Sequence, residues 1–189
     1  MKQHIAPAIK LTLVMIIFFS VFYPISIWGI AQITSNQGHG KIVEFEGKKY
    51  YENIGQTFNK NMYFWSRPSA VDYNAAGSGG SNKGPSNEEY LQQVEQRIEH
   101  FMKHHPHVKK SDIPMDMITA SGSGLDPHIS VKAAEIQVQR VANVRQIPED
   151  KIRELVAENT EKPLFGIFGP EKINVLKLNI ALEKLDTRK

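Results

Sequence analysis

The densest grouping of reactive side chains runs from Thr119 to His128 (TASGSGLDPH), where Ser121, Gly122, Ser123 and Gly124 alternate ahead of Asp126 and His128. Consecutive small residues can turn backbone N–H groups outward and cradle an anion. A phosphate loop, G-x-x-x-x-G-K-[ST], also needs a Lys on the phosphates. Here the first Lys after Gly124 is Lys132, so the spacing is wrong. The G-x-S-x-G elbow of a serine nucleophile is absent too, because no Gly stands at position 119 or 121, two residues before Ser121 or Ser123. The other reading is a tight turn leading into a helix after Ser130. His100 and His104 lie at i and i+4, on one helix face, a spacing that suits metal. No acidic third ligand matches them, and cations at a helix end, here with His105 and His107, also complement the helix dipole. No metal is assigned. Asp112, Asp116 and Asp126 are scattered, and no general acid–base pair or other catalytic residue is assigned. Phe64, Trp65, Arg67 and Tyr73 are a candidate partner-docking set, since aromatic and Arg side chains carry much interface energy. The competing reading is a core turn around one buried guanidinium.

These residues must be positioned by helices and short loops. Ser86 and Glu89 form a capping box ahead of Leu91, Val94, Ile98, Phe101 and Met102, which recur at helical spacing until Pro106. A second helix is expected from Ser130 towards Arg145, burying Ala134, Val138, Val141 and Ala142. A third opens with Pro148 and carries Ile152, Leu155 and Val156. A fourth, from about Ile173, buries Val175, Leu178, Leu182 and Leu185. Ile42, Val43 and Phe45, then Glu46-Gly47 and residues 48–51, read as a hairpin. Met115–Ala120 and Leu164–Phe168 read as short strands or buried loops. Residues 62–73 are irregular, with Pro68 arguing against a central strand, and 74–87 (NAAGSGGSNKGPSN) form a long loop.

Leu11 to Ile33 is an uncharged run of 23 residues, which as a helix spans about 34 Å, enough for a hydrocarbon core. It is too long for a signal-peptide core and ends without an A-x-A cleavage pattern, so a retained anchor is expected. Pro24 should distort the helix and free a carbonyl, hinting at packing against other membrane helices. Lys2 and Lys10 precede the span and the next charge is Lys41, which favours a cytoplasmic N-terminus and an external domain. The expected organisation is a tail at 1–10, a transmembrane helix at 11–33 and a soluble α+β domain at 34–189. The net charge is +3, but residues 41–189 hold 21 basic and 20 acidic side chains. That segment lacks the footprint of a nucleic-acid binder. The absence of Cys excludes disulfides, thiolate metal sites and a Cys nucleophile.

Several segments in order resemble one family: YFWSRPSA (63–70), SGGSN (78–82), GPSN (84–87), ITASGSGLDPHIS (118–130) and INVLKLN (173–179), with Ile54-Gly-Gln56 ahead of Phe58. The chain is similar to the C subunit of the Kdp system, the high-affinity ATP-driven potassium importer of bacteria and archaea. Val131 and Gln139 stand where that family often has proline. The resemblance implies a non-catalytic subunit at the inner or plasma membrane, in contact with lipid. Its implied partners are a potassium-translocating subunit, a P-type ATPase subunit and a small membrane subunit. No cofactor of its own is assigned, ATP and potassium being handled by the complex. The family is described as a catalytic chaperone that raises the ATPase subunit's affinity for ATP, and Ser121, Gly122, Ser123, Gly124 and Gln137 would be its nucleotide-related residues. A domain outside the membrane has no access to cytosolic ATP, so on this topology the effect passes through partners as a coupling free energy. The alternative classes are an anchored hydrolase using Ser121 or Ser123 with His128, and an anchored ligand-binding module.

With Cys absent, single cysteines at Lys83 or Lys189 report topology. An impermeant thiol reagent on intact cells should label both; failure to label a folded, accessible version of either reverses the orientation.

Overall fold

Helix α1 (Lys2–Ile17) continues through a π-helical turn (Phe18–Phe22) into α2 (Tyr23–Ile33). The computed structural model describes residues 2–45 and 47–186. Lys189 therefore lies outside the described residues, as does Glu46 in the expected hairpin turn. The π turn sits directly before Pro24. The Tyr23 N–H bonds to Phe18 O, five residues back, and this wider register admits the proline ring without ending the helix. Pro24 thus distorts the ladder as expected, and Ser26 Oγ donates to Phe22 O at 2.8 Å in the same turn. Gln3–Ile33 is long and apolar enough to cross a membrane, its most apolar 18-residue window having a mean hydropathy of 2.3. Helix also covers positions 2–10, expected as a tail.

The chain divides after Ile42 into the helix with its connector and the domain that follows. The hairpin strand β1 (Ile42–Phe45) starts at that boundary and is followed by β2 (Lys48–Tyr51). No helix or strand follows until α3 (Glu88–His104). Its N-cap is Asn87, which accepts from Tyr90 N–H at 2.9 Å, one residue beyond the expected Ser86. Glu89 is drawn off to Lys83 at 2.6 Å, which also leaves Lys83 half-buried.

The expected second helix is two, α4 (Val131–Glu135) and α5 (Val138–Arg145), separated at Ile136 and Gln137. Ser130 caps α4 by accepting from Ala133 N–H at 3.1 Å. Val131 and Gln139 both fall in first turns, where proline costs little. Pro148 is the N-cap of α6 (Glu149–Glu158). The last helix, α7 (Val175–Asp186), starts two residues late because Ile173 lies in a strand. Strands β3 (His128–Ile129), β4 (Thr160–Glu161) and β5 (Lys172–Asn174) form an antiparallel sheet of order β3-β5-β4, with Ile129 and Thr160 flanking Ile173. The α+β class holds. Of the two short segments, Met115–Ala120 is a buried loop, with a 3-10 turn at Met115–Met117 and Met117 and Ile118 in the core. Leu164–Phe168 differs from expectation: it is an exposed turn closed by one bridge, neither a strand nor buried.

The core is one cluster in which Ile98 and Phe101 of α3, Val138 and Val141 of α5, Ile152 and Val156 of α6, and Leu178 and Leu182 of α7 meet Ile173 of β5. Phe64 and Trp65 belong to it, although they lie on no regular element.

Candidate functional site

Phe64 and Trp65 pass through this core without a strand partner, and their buried backbone groups must still be bonded. Polar side chains of α7, of α5 and of the break before α5 hold them and the residues on either side, while Tyr63 N–H and Ser66 N–H bond to Lys60 O and Phe58 O. Asn179 of α7 accepts from Phe64 N–H and donates to Phe64 O, both at 2.9 Å. Gln137 accepts from Trp65 N–H at 2.7 Å and donates to Ala133 O at 2.9 Å. Arg140 donates to Asn61 O and Arg145 Nε to Met62 O at 2.9 Å. Asn179, Gln137, Arg140 and Arg145 are all buried. Arg145 is neutralised by Glu183 at 2.5 Å and Asp186 at 3.1 Å.

Trp65 is ringed by side chains whose sequence spacing suggested metal. The rings of His100, His104 and His105 lie 5.3, 5.1 and 5.3 Å from it, and the Arg140 guanidinium sits 4.4 Å above it. His105 is fully buried. Its Nδ1 lies 2.8 Å from Phe101 O, and its Nε2 accepts from Arg140 Nε at 2.9 Å. A neutral ring with the proton on Nδ1 satisfies both contacts. Burial first, and then the Arg140 charge, push the His105 pKa down to about 4, against the opposing pull of the Phe101 carbonyl. Burial also lowers Arg140, to about 9.

Arg67 and Tyr73 lie at the edge of this core. Arg67 Nη1 meets Asp126 Oδ2 at 2.7 Å, and Tyr73 Oη donates to Arg67 O at 2.6 Å. Burial would raise Asp126, but hydrogen bonds from His128, then Arg67, hold it down at about 2. Burial pushes Tyr73 up to about 12. The Arg67 Nε is buried without a partner.

The Ser/Gly loop is a socket for residues 68–80. Ser121 N–H donates to Pro68 O, Gly79 N–H and Ser78 Oγ to Ser123 O, and Ser69 Oγ to Gly124 O. Gly124 has a φ of +67°, and a Cβ there would meet Val71 Cγ2 at 2.5 Å and Gly79 O at 2.7 Å, so only glycine fits. The N–H groups of Ser121, Gly124 and Leu125 are bonded within the protein, which takes these three donors away from an anion nest. Ser121 is buried, its Oγ accepting from Gly124 N–H at 2.9 Å. Gln137 does not join this loop; it serves Trp65. His128 faces Asp126 at 3.5 Å and Glu161 at 3.8 Å, and no described hydrogen bond joins it to Ser121 or Ser123.

Of the four candidate docking residues, Phe64 is wholly buried and Trp65 is 7% exposed. Both fill the domain's own core, so neither offers a free face as a surface anchor would. Trp65, Arg67 and Tyr73 do line a cleft of about 490 Å³ between residues 57–73 and α3. Trp65 and Phe101 provide apolar wall, while Gln93, Gln96, Arg97, Asp72 and Ser69 supply polar groups. Sequence reasoning missed Asn179, Arg140 and Arg145. The signal available was a polar residue on an otherwise apolar helix stripe, as Asn179 is between Leu178 and Leu182.

Together these features define a membrane-tethered α+β domain whose one interior segment is held by buried side chains and opens onto a polar-rimmed cleft. The sequence profile of a family described as "K+-transporting ATPase, c chain" matches residues 5–184. The potassium-transporting ATPase KdpC subunit of Flavobacterium johnsoniae is 53% identical, covering 97% of this chain and 99% of its own. That of Bacteroides thetaiotaomicron is 51% identical over 94% and 96%, and that of Bacillus cereus 39% over 97% of each. The chain belongs to the KdpC family.

His105 makes stability depend on pH. The unfolded chain's histidine protonates near 6.5, the buried one only near 4. Between these values the unfolded chain binds a proton that the folded chain excludes, so this stabilisation is complete above pH 6.5 and is lost as pH falls towards 4. The shift corresponds to about 3 kcal/mol. Urea unfolding of the full chain in detergent should show that decline, and His105→Gln, which donates and accepts without titrating, should flatten it. An unchanged slope in His105→Gln would assign the dependence elsewhere.

Proposed function

We propose that this chain is an accessory subunit of a potassium-transporting P-type ATPase, without catalytic activity of its own. Its N-terminus is cytoplasmic, its domain lies outside, and it holds the potassium-translocating, ATPase and small membrane subunits in one assembly. The names of its relatives support the potassium-transport setting. The observation that carries the docking role is the cleft lined by Trp65, Arg67, Tyr73, Arg97 and Gln96. An apolar wall with a polar, Arg-bearing rim suits an extended segment of a partner subunit, because desolvated aromatic and Arg contacts carry most interface energy. The clamps on residues 61–66 pre-organise that wall and lower the ordering cost of binding. Any gain in ATP affinity reaches the ATPase subunit as a coupling free energy through these contacts, with Ser121–Gly124 acting by fixing residues 68–80 and Gln137 by fixing Trp65.

Gln96 is exposed on the cleft rim, so Gln96→Trp should fill the cleft and leave the fold intact. Co-expressed with its partners, this variant should be lost from the purified complex or cut potassium uptake at least tenfold, with its unfolding midpoint unchanged. Full assembly and transport by a folded Gln96→Trp chain would remove the cleft from the docking role.

A further inference from the structure

Residues 163–170 read PLFGIFGP, eight positions without a charged side chain. The large side chains of this stretch stand out in solvent: Leu164 is 63% exposed, Phe165 83%, Ile167 78% and Phe168 65%. Among the described residues of the domain, Phe165 and Ile167 are the most exposed large hydrophobics. Leu164 and Phe168 exchange N–H···O bonds of 3.0 Å in both directions, and Ile167 N–H closes onto Leu164 O at 3.2 Å. Phe165 and Gly166 occupy the centre of that turn with φ of +55° and +74°, the left-handed pair of a type I′ turn. Glycine adopts this conformation freely, but a bulky aromatic does so against steric cost. The fold therefore maintains strain to hold Phe165 in the open, where its own core gains nothing from it.

We propose that the Leu164–Phe168 tip inserts into the interfacial layer of the bilayer that α1 and α2 cross. Three observations select lipid as the occupant. Most of the tip's N–H donors are already used, since those of Leu164, Gly166, Ile167 and Phe168 are bonded within the turn and Pro163 and Pro170 have none to offer. Each donor bonded internally lowers the cost of leaving water, and the tip gives a partner's β-strand little to pair with. The run also carries no charge to desolvate, its nearest charged neighbours being Lys162 and Glu171. Finally, the connector 34–42 between the spanning helix and the domain reaches about 30 Å at full extension, which keeps the domain within reach of the bilayer. Phe, Leu and Ile side chains on a rigid turn are suited to shallow burial there. The tip is a second membrane attachment, and it acts independently of the cleft.

The test uses the full chain at one copy per phosphatidylcholine–phosphatidylglycerol nanodisc. A single cysteine at Ile167, labelled with an environment-sensitive fluorophore, is compared with one at Val144, which is 49% exposed. The probe at 167 should be quenched several-fold more by nitroxide-bearing lipid than the probe at 144, and be at least threefold better protected from iodide. Adding Phe165→Ser and Phe168→Ser to the Ile167→Cys chain should restore iodide access. Equal iodide access at both positions overturns the proposal. So does protection that arises only with two chains per disc, which assigns the tip to a second copy, or only with the partner subunits present, which assigns it to a protein surface.

Discussion

A chain segment that crosses a protein core outside any helix or sheet must have its backbone N–H and C=O groups bonded by something else. Leaving a buried group unpaired costs about 1–3 kcal/mol. Phe64 and Trp65 pose that problem here. The reciprocal pair of bonds between Asn179 and Phe64 is the clearest part of the solution, because one carboxamide reproduces what a neighbouring strand would give. Gln137, Arg140 and Arg145 extend it, so that α5 and α7 do for this segment what a sheet does elsewhere. The arrangement fixes the rotation of both helices, since a turn of either would withdraw its polar side chain and strand the backbone groups.

The rest of the domain follows from that constraint. Gln137 is held between Trp65 N–H, Ala133 O and Arg140 Nη2, and its place coincides with the break between α4 and α5. Arg140 brings a charge into the core, and the neutral His105 with the Trp65 ring accommodates it. The same ring forms wall for the cleft, so the groups that solve an internal hydrogen-bonding problem also stiffen the surface available to a partner. The loop at 68–80 has few core-forming side chains of its own and keeps its course because Ser121, Ser123 and Gly124 bond to it.

Much of this was legible in the sequence where physics acts locally. Helical periodicity and caps such as Ser130 located α3, α6 and α7 within a few residues and read α4 and α5 as one helix, and the charge-free run located the membrane helix. The sheet was not legible, because β3, β4 and β5 have two or three residues each, too few for alternation to register. Phe64 and Trp65 read either as docking anchors or as core, because aromatics mark cores and interfaces alike; only the partners of their backbone groups separate the two. Leu164–Phe168 failed in the opposite sense, an apolar run read as buried that is exposed. Gln137 was singled out for nucleotide chemistry, whereas its bonds are those of a clamp. The Ile173–Asn179 stretch carried two decisive residues unnoticed: Asn179, and Asn174, which caps α7 through Lys177 N–H at 3.1 Å and donates to Glu52 O at 2.8 Å.

The clamp is open to direct measurement by native-state amide hydrogen exchange on the full chain. If buried side chains replace a sheet, the Phe64 and Trp65 amides exchange only through global unfolding, as slowly as Val141 in α5 or Leu182 in α7. Asn179→Leu should then release the Phe64 amide selectively while Trp65 remains protected by Gln137. Fast exchange of both amides in the unsubstituted chain, at rates like those of the 74–77 loop, would contradict the account.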